Sequence, residues 1–213
     1  MFIELVDVLR CPNPHEDTWL VLAADRLDDR DVMEGTLGCP ICHAELRISA
    51  GIARFDNGSP RVTASRTPDE DEALRIAALL DLTDRRGYAV LVGESAANAP
   101  LLRAVTDVQL LLIDAPADIS MGRGLSGLTT SSSAETFPLA AGSARGIALD
   151  ATATAPLVTS ALTILSPGGR LLAPASLDVP AGLTMLARDE RHWVAERAAP
   201  PSASGIISID RRR

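Results

Sequence analysis

The spacing of apolar residues divides the chain into two parts with different expected structures. Residues 1–56 contain short apolar pieces separated by turns, a pattern typical of small antiparallel strands. Residues 70–213 alternate between helical and strand patterns. The stretch 57–69 between them contains Gly, Pro, Ser and charged residues without apolar periodicity. We therefore predict a small β-rich domain at 1–56, a linker at 57–69 and a larger domain at 70–213.

The larger part is expected to form an open α/β sheet. Apolar spacing predicts helices at 70–85, 95–106 and 154–165, and buried strands at 88–93, 108–114, 144–150 and 170–175. The segment 118–136 is rich in Gly and Ser and is expected to be a long loop, and 183–198 with 204–212 a closing antiparallel pair. This alternation implies a mostly parallel sheet with right-handed crossovers and an antiparallel last strand.

The composition of the chain argues against two classes of function, direct nucleic-acid binding and membrane association. The chain has 213 residues and a net charge of −8, and all of its basic residues are arginines without a dense cluster. Direct nucleic-acid binding is therefore not expected, because phosphate contacts need concentrated positive charge. No apolar run reaches the roughly 18 residues that cross a bilayer, and the first residues lack a basic signal-peptide region. We expect a cytoplasmic protein without membrane association.

Three cysteines and one histidine have spacings that suit a metal ion. Cys39 and Cys42 form a CxxC pair, whose two thiolates can reach one tetrahedral ion from a tight turn. Cys11 and His15 supply the other half of a site with three sulfur ligands and one nitrogen. We predict a closed structural zinc site, which stabilises a piece too small to fold on its core alone. His43 is the alternative fourth ligand, but it directly follows Cys42.

Two other interpretations of the cysteines remain. A redox function for the CPIC sequence at 39–42 would place the motif after a strand of a βαβ unit, whereas here it lies in a turn-rich β segment. The cysteines could also be buried apolar residues without a metal.

Residues 1–56 resemble a known zinc-binding family. The sequences LRCPNPHEDTWLVL, LGCPICHAELRI and GIARF are similar to the small zinc-binding activator subunit of tRNA and protein methyltransferases, and to the related ribbon in some bacterial methyltransferases. The chain departs from the family in the first knuckle, where the second cysteine is missing and His15 would replace it. The resemblance implies a zinc ribbon that docks on a protein partner, either a methyltransferase or its substrate protein.

Residues 70–212 resemble class I S-adenosylmethionine-dependent methyltransferases, which have a Rossmann-like sheet. The order of elements, the acid after the second strand and the sequence LTILSPGGRLLAP carry this resemblance. It implies S-adenosylmethionine as the cofactor. The cofactor loop would then lie at 93–97, where the family's G-x-G-x-G becomes Gly93, Ser95 and Ala97. Asp114 would hold the ribose hydroxyls, or it simply caps the following turn.

The altered loop leaves three functions open: a non-catalytic binding protein, an active methyltransferase, or a fold retained for some other small ligand. Glycine lets the backbone approach a ligand closely, and two of the three expected glycines are replaced by residues with side chains. No catalytic motif follows the third strand, which ends at Asp150, so no catalytic residue is assigned. We therefore expect a non-catalytic or regulatory binding protein, with an active methyltransferase that has a relaxed loop as the alternative. An esterase with Ser95, Asp150 and His192 is disfavoured because the surrounding elements do not match that fold.

Overall fold

The computed structural model describes residues 1–83 and 86–199. Its eleven strands are β1 (Val21–Asp28), β2 (Asp31–Gly38), β3 (Glu45–Ser49), β4 (Ile52–Phe55), β5 (Tyr88–Val92), β6 (Gln109–Ile113), β7 (Leu125–Thr130), β8 (Ala144–Ala148), β9 (Leu165–Pro174), β10 (Leu183–Arg188) and β11 (His192–Arg197). Its α-helices are α1 (Glu70–Leu79), α2 (Ala99–Val105) and α3 (Ala155–Ile164), and 3₁₀-helices cover Ile3–Val8 and Gly93–Asn98.

All of these strands form one mixed sheet. Their order is β1-β2-β3-β4-β7-β6-β5-β8-β9-β11-β10, with parallel pairing from β4 to β9 and antiparallel pairing at both ends. The mostly parallel α/β arrangement predicted for the second part is confirmed. The first four strands continue the same sheet, because β4 pairs in parallel with β7. The division at 57–69 remains a sequence prediction, but both sides of it contribute to one sheet.

The two faces of the sheet are covered by different elements. The first 3₁₀-helix, the strands of residues 1–56 and α3 share one hydrophobic cluster. Helices α1 and α2 cover the opposite face. The ring centroids of Phe2 and Tyr88 lie 6.2 Å apart, which joins the N-terminal segment directly to the start of β5. The N-terminal part is therefore packed into the main core.

The prediction of a long loop at 118–136 is wrong, because this segment contains strand β7, which pairs with β4 on one side and β6 on the other. Contacts with neighbouring segments explain why glycine and serine occur in this strand. The side chain of Ile52 lies across Gly127, where an added Cβ would be 2.7 Å from Ile52 Cγ1. The hydroxyl of Ser126 accepts a hydrogen bond from the backbone amide of Phe2 at 2.8 Å. Close packing, and not a turn, explains glycine and serine here.

The other differences between the prediction and the structure concern the residues at which helices and strands begin and end. Helix α1 ends at Leu79, earlier than the predicted 85. The antiparallel hairpin β10–β11 lies wholly within 183–198, and the predicted strand 204–212 lies outside the described residues. Among the described helices, none has the length and apolar character needed to cross a bilayer.

Candidate functional site

Four side chains with metal-binding chemistry meet beside the outer strands. Cys39 and Cys42 lie in the turn between β2 and β3, and Cys11 and His15 lie in the segment before β1. Their ligand atoms all lie within 4.8 Å of one another. The structure therefore brings the four predicted ligands together in a cluster that could hold a metal ion.

The turn after β2 has the geometry of a metal-binding knuckle. The amide of Cys42 donates to Cys39 Sγ at 3.4 Å, and the amide of His43 donates to the Cys39 carbonyl at 3.0 Å. His43 closes this turn with a φ of 59°, and its ring does not belong to the cluster. Among the described residues, His15 is the histidine that lies with the thiols.

The distances fit a tetrahedral ion. Ligands about 2.3 Å from a tetrahedral zinc would place two sulfur atoms ~3.8 Å apart, and Cys11 Sγ lies 3.7 Å from Cys42 Sγ. His15 Nε2 lies 3.3 Å from Cys39 Sγ, while His15 Nδ1 lies 2.6 Å from the Glu16 carbonyl. This second contact orients the ring so that Nε2 faces the thiols, as is usual for metal-binding histidines.

The three thiols differ in their electrostatic environment. A hydrogen bond from the Asn13 side chain, 3.2 Å from Cys42 Sγ, and one from the Ala44 backbone lower the pKa of Cys42 to about 6. Burial raises the pKa of Cys11 to about 12. Metal binding requires thiolates, so an ion at this site would displace the Cys11 proton.

A second candidate site lies where the chain reverses its direction across the sheet. The path runs from β5 through β6 to β7, and then returns to β8 on the other side of β5. In open α/β sheets, ligands bind at such a switch point, outside the carboxyl ends of the strands. Here the two flanking strands end at Val92 and Ala148, and the predicted cofactor loop follows the first of them.

Side chains of the protein fill this switch point. Asp150 Oδ2 accepts a hydrogen bond from the Glu94 amide at 3.0 Å, which joins the loops after β5 and β8. Asp150 Oδ1 accepts from the amide and hydroxyl of Thr152 at 3.0 and 2.7 Å. Gly93 has a φ of 58°, and a Cβ at this position would overlap the Asp150 carboxylate. The remaining glycine of the loop thus accommodates Asp150.

The loop itself is helical. Residues Gly93–Asn98 form a 3₁₀-helix that leads directly into α2. Within it Ser95 is partly exposed, whereas Ala97 is buried. The other two members of the esterase alternative are bonded to other residues: Asp150 accepts from Glu94 and Thr152, and His192 Nδ1 lies 3.0 Å from Arg75 Nη1.

Asp114 follows β6, but its carboxylate is directed into the protein. Oδ1 accepts from the Thr130 amide and Oδ2 from the Thr130 hydroxyl, both at 2.6 Å. Arg61 Nε lies 3.5 Å from Oδ2. Burial raises the pKa of Asp114, and the Thr130 bonds and the Arg61 charge oppose that rise. Both oxygens that would hold a ribose therefore have protein partners.

The predicted linker crosses the carboxyl ends of three strands in turn. The Arg61 amide donates to the Thr130 carbonyl at the end of β7, and Thr63 Oγ1 donates to the Asp114 carbonyl after β6 at 2.6 Å. Arg66 then forms an ion pair with Glu94 after β5 at 3.7 Å. We call residues 57–69 the crossing segment. It covers the carboxyl edge of the sheet at β7, β6 and β5.

The sequence indicates the cluster of Cys11, His15, Cys39 and Cys42, which we call the metal cluster, but not the partners that close the switch point. Thr130 lies in a segment expected to be a loop, and Arg61 lies in the expected linker. Nothing in their local sequence indicates a contact with Asp114, because that contact depends on the pairing of β6 with β7. Five cavities in the described part of the chain are lined by residues other than 93–98, Asp114 and Asp150.

Comparison with known proteins gives structural neighbours only. No protein-family model matches the chain, and no curated protein matches it. A putative S-adenosyl-L-methionine-dependent methyltransferase from Methanococcus maripaludis is 11% identical, with a TM-score of 0.46, over 63% of this chain and 86% of that one. The antibiotic-resistance methyltransferase Kmr is 17% identical, with a TM-score of 0.40, over 66% and 99%. A Burkholderia thailandensis 1,6-didemethyltoxoflavin-N1-methyltransferase is 12% identical, with a TM-score of 0.33, over 60% of each chain.

Proposed function

We propose that the chain is a non-catalytic protein with a methyltransferase-like sheet, a structural zinc site and a docking surface for a protein partner. The observation that carries the proposal is the hydrogen bond from the Glu94 amide to Asp150, which closes the switch point. A ligand there would have to displace Asp150 Oδ2 from the Glu94 amide, while Oδ1 stays bonded to Thr152. Breaking a buried, hydrogen-bonded carboxylate contact costs about 1–3 kcal/mol or more.

The contacts of Asp114 support the same conclusion. Its carboxylate already accepts two short hydrogen bonds from Thr130, so the ribose hydroxyls would compete with bonds made inside the protein. The crossing segment lies directly against the Asp114 carbonyl through Thr63. The residues present therefore do not fit S-adenosylmethionine in this arrangement.

Calorimetric titration of purified protein with S-adenosylmethionine and S-adenosylhomocysteine tests this proposal. We expect no heat of binding with either compound at 2 mM ligand. The alternative function, an active methyltransferase, predicts submillimolar binding that Asp114→Ala weakens at least tenfold. That alternative rests on the position of Asp114 at the carboxyl end of β6, beside β5.

Zinc is the ion that the donor set supports best. Three thiols and one imidazole with tetrahedral spacing suit zinc, and a set without an open position suits a structural ion and not a catalytic one. Elemental analysis of protein purified without chelators should find one zinc per chain. Cys39→Ser should lose the ion, whereas His43→Asn should keep it. Retention of zinc in Cys39→Ser would contradict the assignment.

The outer edge of β1 is the surface we assign to the partner. It is the last strand of the sheet at that end, and its side chains are mostly exposed. Val21 and Leu27 on β1 are 62% and 50% exposed, and Trp19, just before the strand, is 62% exposed. Unpaired edge strands with apolar side chains readily accept a strand from another chain. Asp25 and Asp28 lie on β1 and Asp17 precedes it, whereas Arg26 of β1 pairs with Glu34 of β2, so the partner strand should carry basic residues.

A photo-crosslinking residue at Val21 tests this surface, with the same residue at Met185 on the opposite edge strand as the control. A partner should be captured from Val21 alone, and the complex should then form from purified components. Val21→Arg should weaken that complex at least tenfold, because it adds positive charge facing a basic strand. Equal weakening by Met185→Arg would place the contact elsewhere.

A further inference from the structure

A cavity of about 290 Å³ lies beside the crossing segment, on the face of the sheet over β4, β6 and β7. It exists because residues 114–124, which connect β6 to β7, contain no helix. A connection between parallel strands usually carries a helix that covers this face. Here only the loop and the crossing segment cover it, and they leave a space near the lower end of the range for ligand pockets.

The floor and walls of this cavity are mainly apolar. Ile52 on β4 and Leu112 on β6 line it, together with Ala115, Ile119 and Met121 of the β6–β7 connection. Leu112 is fully buried from the solvent, whereas Ile52, Ala115, Ile119 and Met121 are only half-buried. These partly exposed apolar groups would gain burial if a ligand with an apolar body entered.

One charged group lining the cavity has hydrogen-bond donors to spare. Arg54 lies on β4 with 47% of its side chain exposed, and its Nη1 is 3.7 Å from Asp56 Oδ2. That distance is an ion pair but not a hydrogen bond, and Oδ2 already accepts from Thr129 Oγ1 at 2.6 Å. A guanidinium has five N–H donors in a planar fork that fits a carboxylate with two parallel bonds. The second arginine at the cavity, Arg61, instead bonds to the Ala134 carbonyl and pairs with Asp114.

We propose that this cavity binds a small carboxylic acid with an aromatic or branched apolar body. The apolar part would lie against Ile52 and Ile119, and the carboxylate would accept hydrogen bonds from Arg54. The site lies apart from both the metal cluster and the switch point. It therefore adds an activity, the binding of an organic acid, to the proposed partner function and does not depend on it.

Titration with 3-phenylpropionate, followed by ¹H–¹⁵N NMR, tests the site, and 3-phenylpropionamide serves as its uncharged counterpart. We expect the carboxylate to shift the amide signals of 115–121 and to bind at least tenfold more tightly than the amide. Arg54→Gln should remove that tenfold preference. Arg47→Gln, an exposed arginine on the neighbouring strand β3, should leave it unchanged.

A variant in which a large side chain fills the cavity tests the proposal independently of Arg54. Ala115→Trp should abolish the binding of both compounds while the melting temperature stays close to that of the parent. Three outcomes would overturn the proposal: no binding at 10 mM carboxylate, equal affinity for acid and amide, or unchanged binding in Ala115→Trp. None of these outcomes bears on S-adenosylmethionine or zinc binding, so the failure of this proposal is distinguishable from failure of the proposed function.

Discussion

The carboxylate of Asp150 occupies the space in front of the α-carbon of Gly93, which a side chain at position 93 would need. In a cofactor loop a glycine at this point gives a ligand close access to the backbone. Here the same opening is used by a residue of the chain itself, which also accepts a hydrogen bond from the adjacent Glu94 amide. Gly93 is therefore required by the packing of Asp150, whether or not the loop binds a cofactor.

Gly93→Ala should destabilise the protein strongly. The new methyl group would overlap Asp150, and the φ of 58° disfavours any L side chain. Overpacking costs about 1–3 kcal/mol and the left-handed conformation about 1–2 kcal/mol, so we expect a loss of ~3 kcal/mol in the free energy of unfolding. Urea unfolding measures it.

Gly142→Ala is the matched control for that variant. Gly142 also has a positive φ, 69°, but a Cβ there would meet nothing within 4 Å. Its loss should therefore be limited to the conformational part, ~1 kcal/mol. Combining Gly93→Ala with Asp150→Ala should recover part of the loss. If Gly93→Ala costs no more than Gly142→Ala, Asp150 does not fill the switch point.

The metal cluster was predictable from the sequence because its information is local. Cys39 and Cys42 share one turn, and Cys11 and His15 share one short segment, so spacing alone limits the geometry. The buried strands β5 and β6 were also predictable, because continuous apolar runs between turn residues indicate them.

The strand β7 and the closed switch point were not predictable for the opposite reason. Gly127 is small because Ile52, a residue 75 positions earlier, lies across it. Asp114 turns inward because Thr130 on a neighbouring strand supplies its donors. Both arrangements are consequences of strand order, which the pattern along a single segment does not encode.

The parent should lose stability relative to the Asp114→Asn variant as the pH rises. Burial raises the folded-state pKa of Asp114 above its unfolded value. The folded state therefore holds the proton more tightly, and the contribution of Asp114 to stability is fully present below about pH 4. It is lost as the pH rises through the folded-state pKa. Asparagine does not titrate, so it should lack this loss.

Urea titrations of both proteins at several pH values between 4 and 8 measure the difference. Effects of the metal ligands and other groups are common to the two proteins and cancel in the comparison. The parent should become less stable relative to Asp114→Asn at higher pH. A difference with the opposite slope would mean that the Thr130 bonds and Arg61 outweigh burial.

Gly127→Ala should weaken the junction between β4 and β7. The added methyl would lie 2.7 Å from Ile52 Cγ1, which forces that side chain or the strand to move. We expect a loss of ~2 kcal/mol, and a double-mutant cycle with Ile52→Ala should show positive coupling of about 1 kcal/mol. Gly122→Ala, where a Cβ would meet nothing within 4 Å, should change stability by less than about 0.5 kcal/mol.

Removal of the metal should destabilise the whole described chain and not only its first 56 residues. Strand β4 continues the main sheet through β7, and Leu5 belongs to the same core cluster as Trp193 near the opposite edge. Elements that share a core and a sheet unfold together. Structural zinc supplies about 10 kcal/mol or more of apparent binding free energy in small domains, so a chelator should lower the unfolding free energy by at least ~3 kcal/mol.

The two tryptophans make this prediction measurable. Trp193 is fully buried and its Nε1 donates to the Leu177 carbonyl at 2.8 Å, whereas Trp19 is exposed near the metal cluster. In a Trp19→Phe background, fluorescence reports on Trp193 alone. Metal release and Trp193 exposure should then occur at the same urea concentration, and Cys39→Ser should shift the Trp193 transition to lower urea. Release of the metal well before Trp193 becomes exposed would instead show that the outer strands unfold by themselves, despite their pairing with β7.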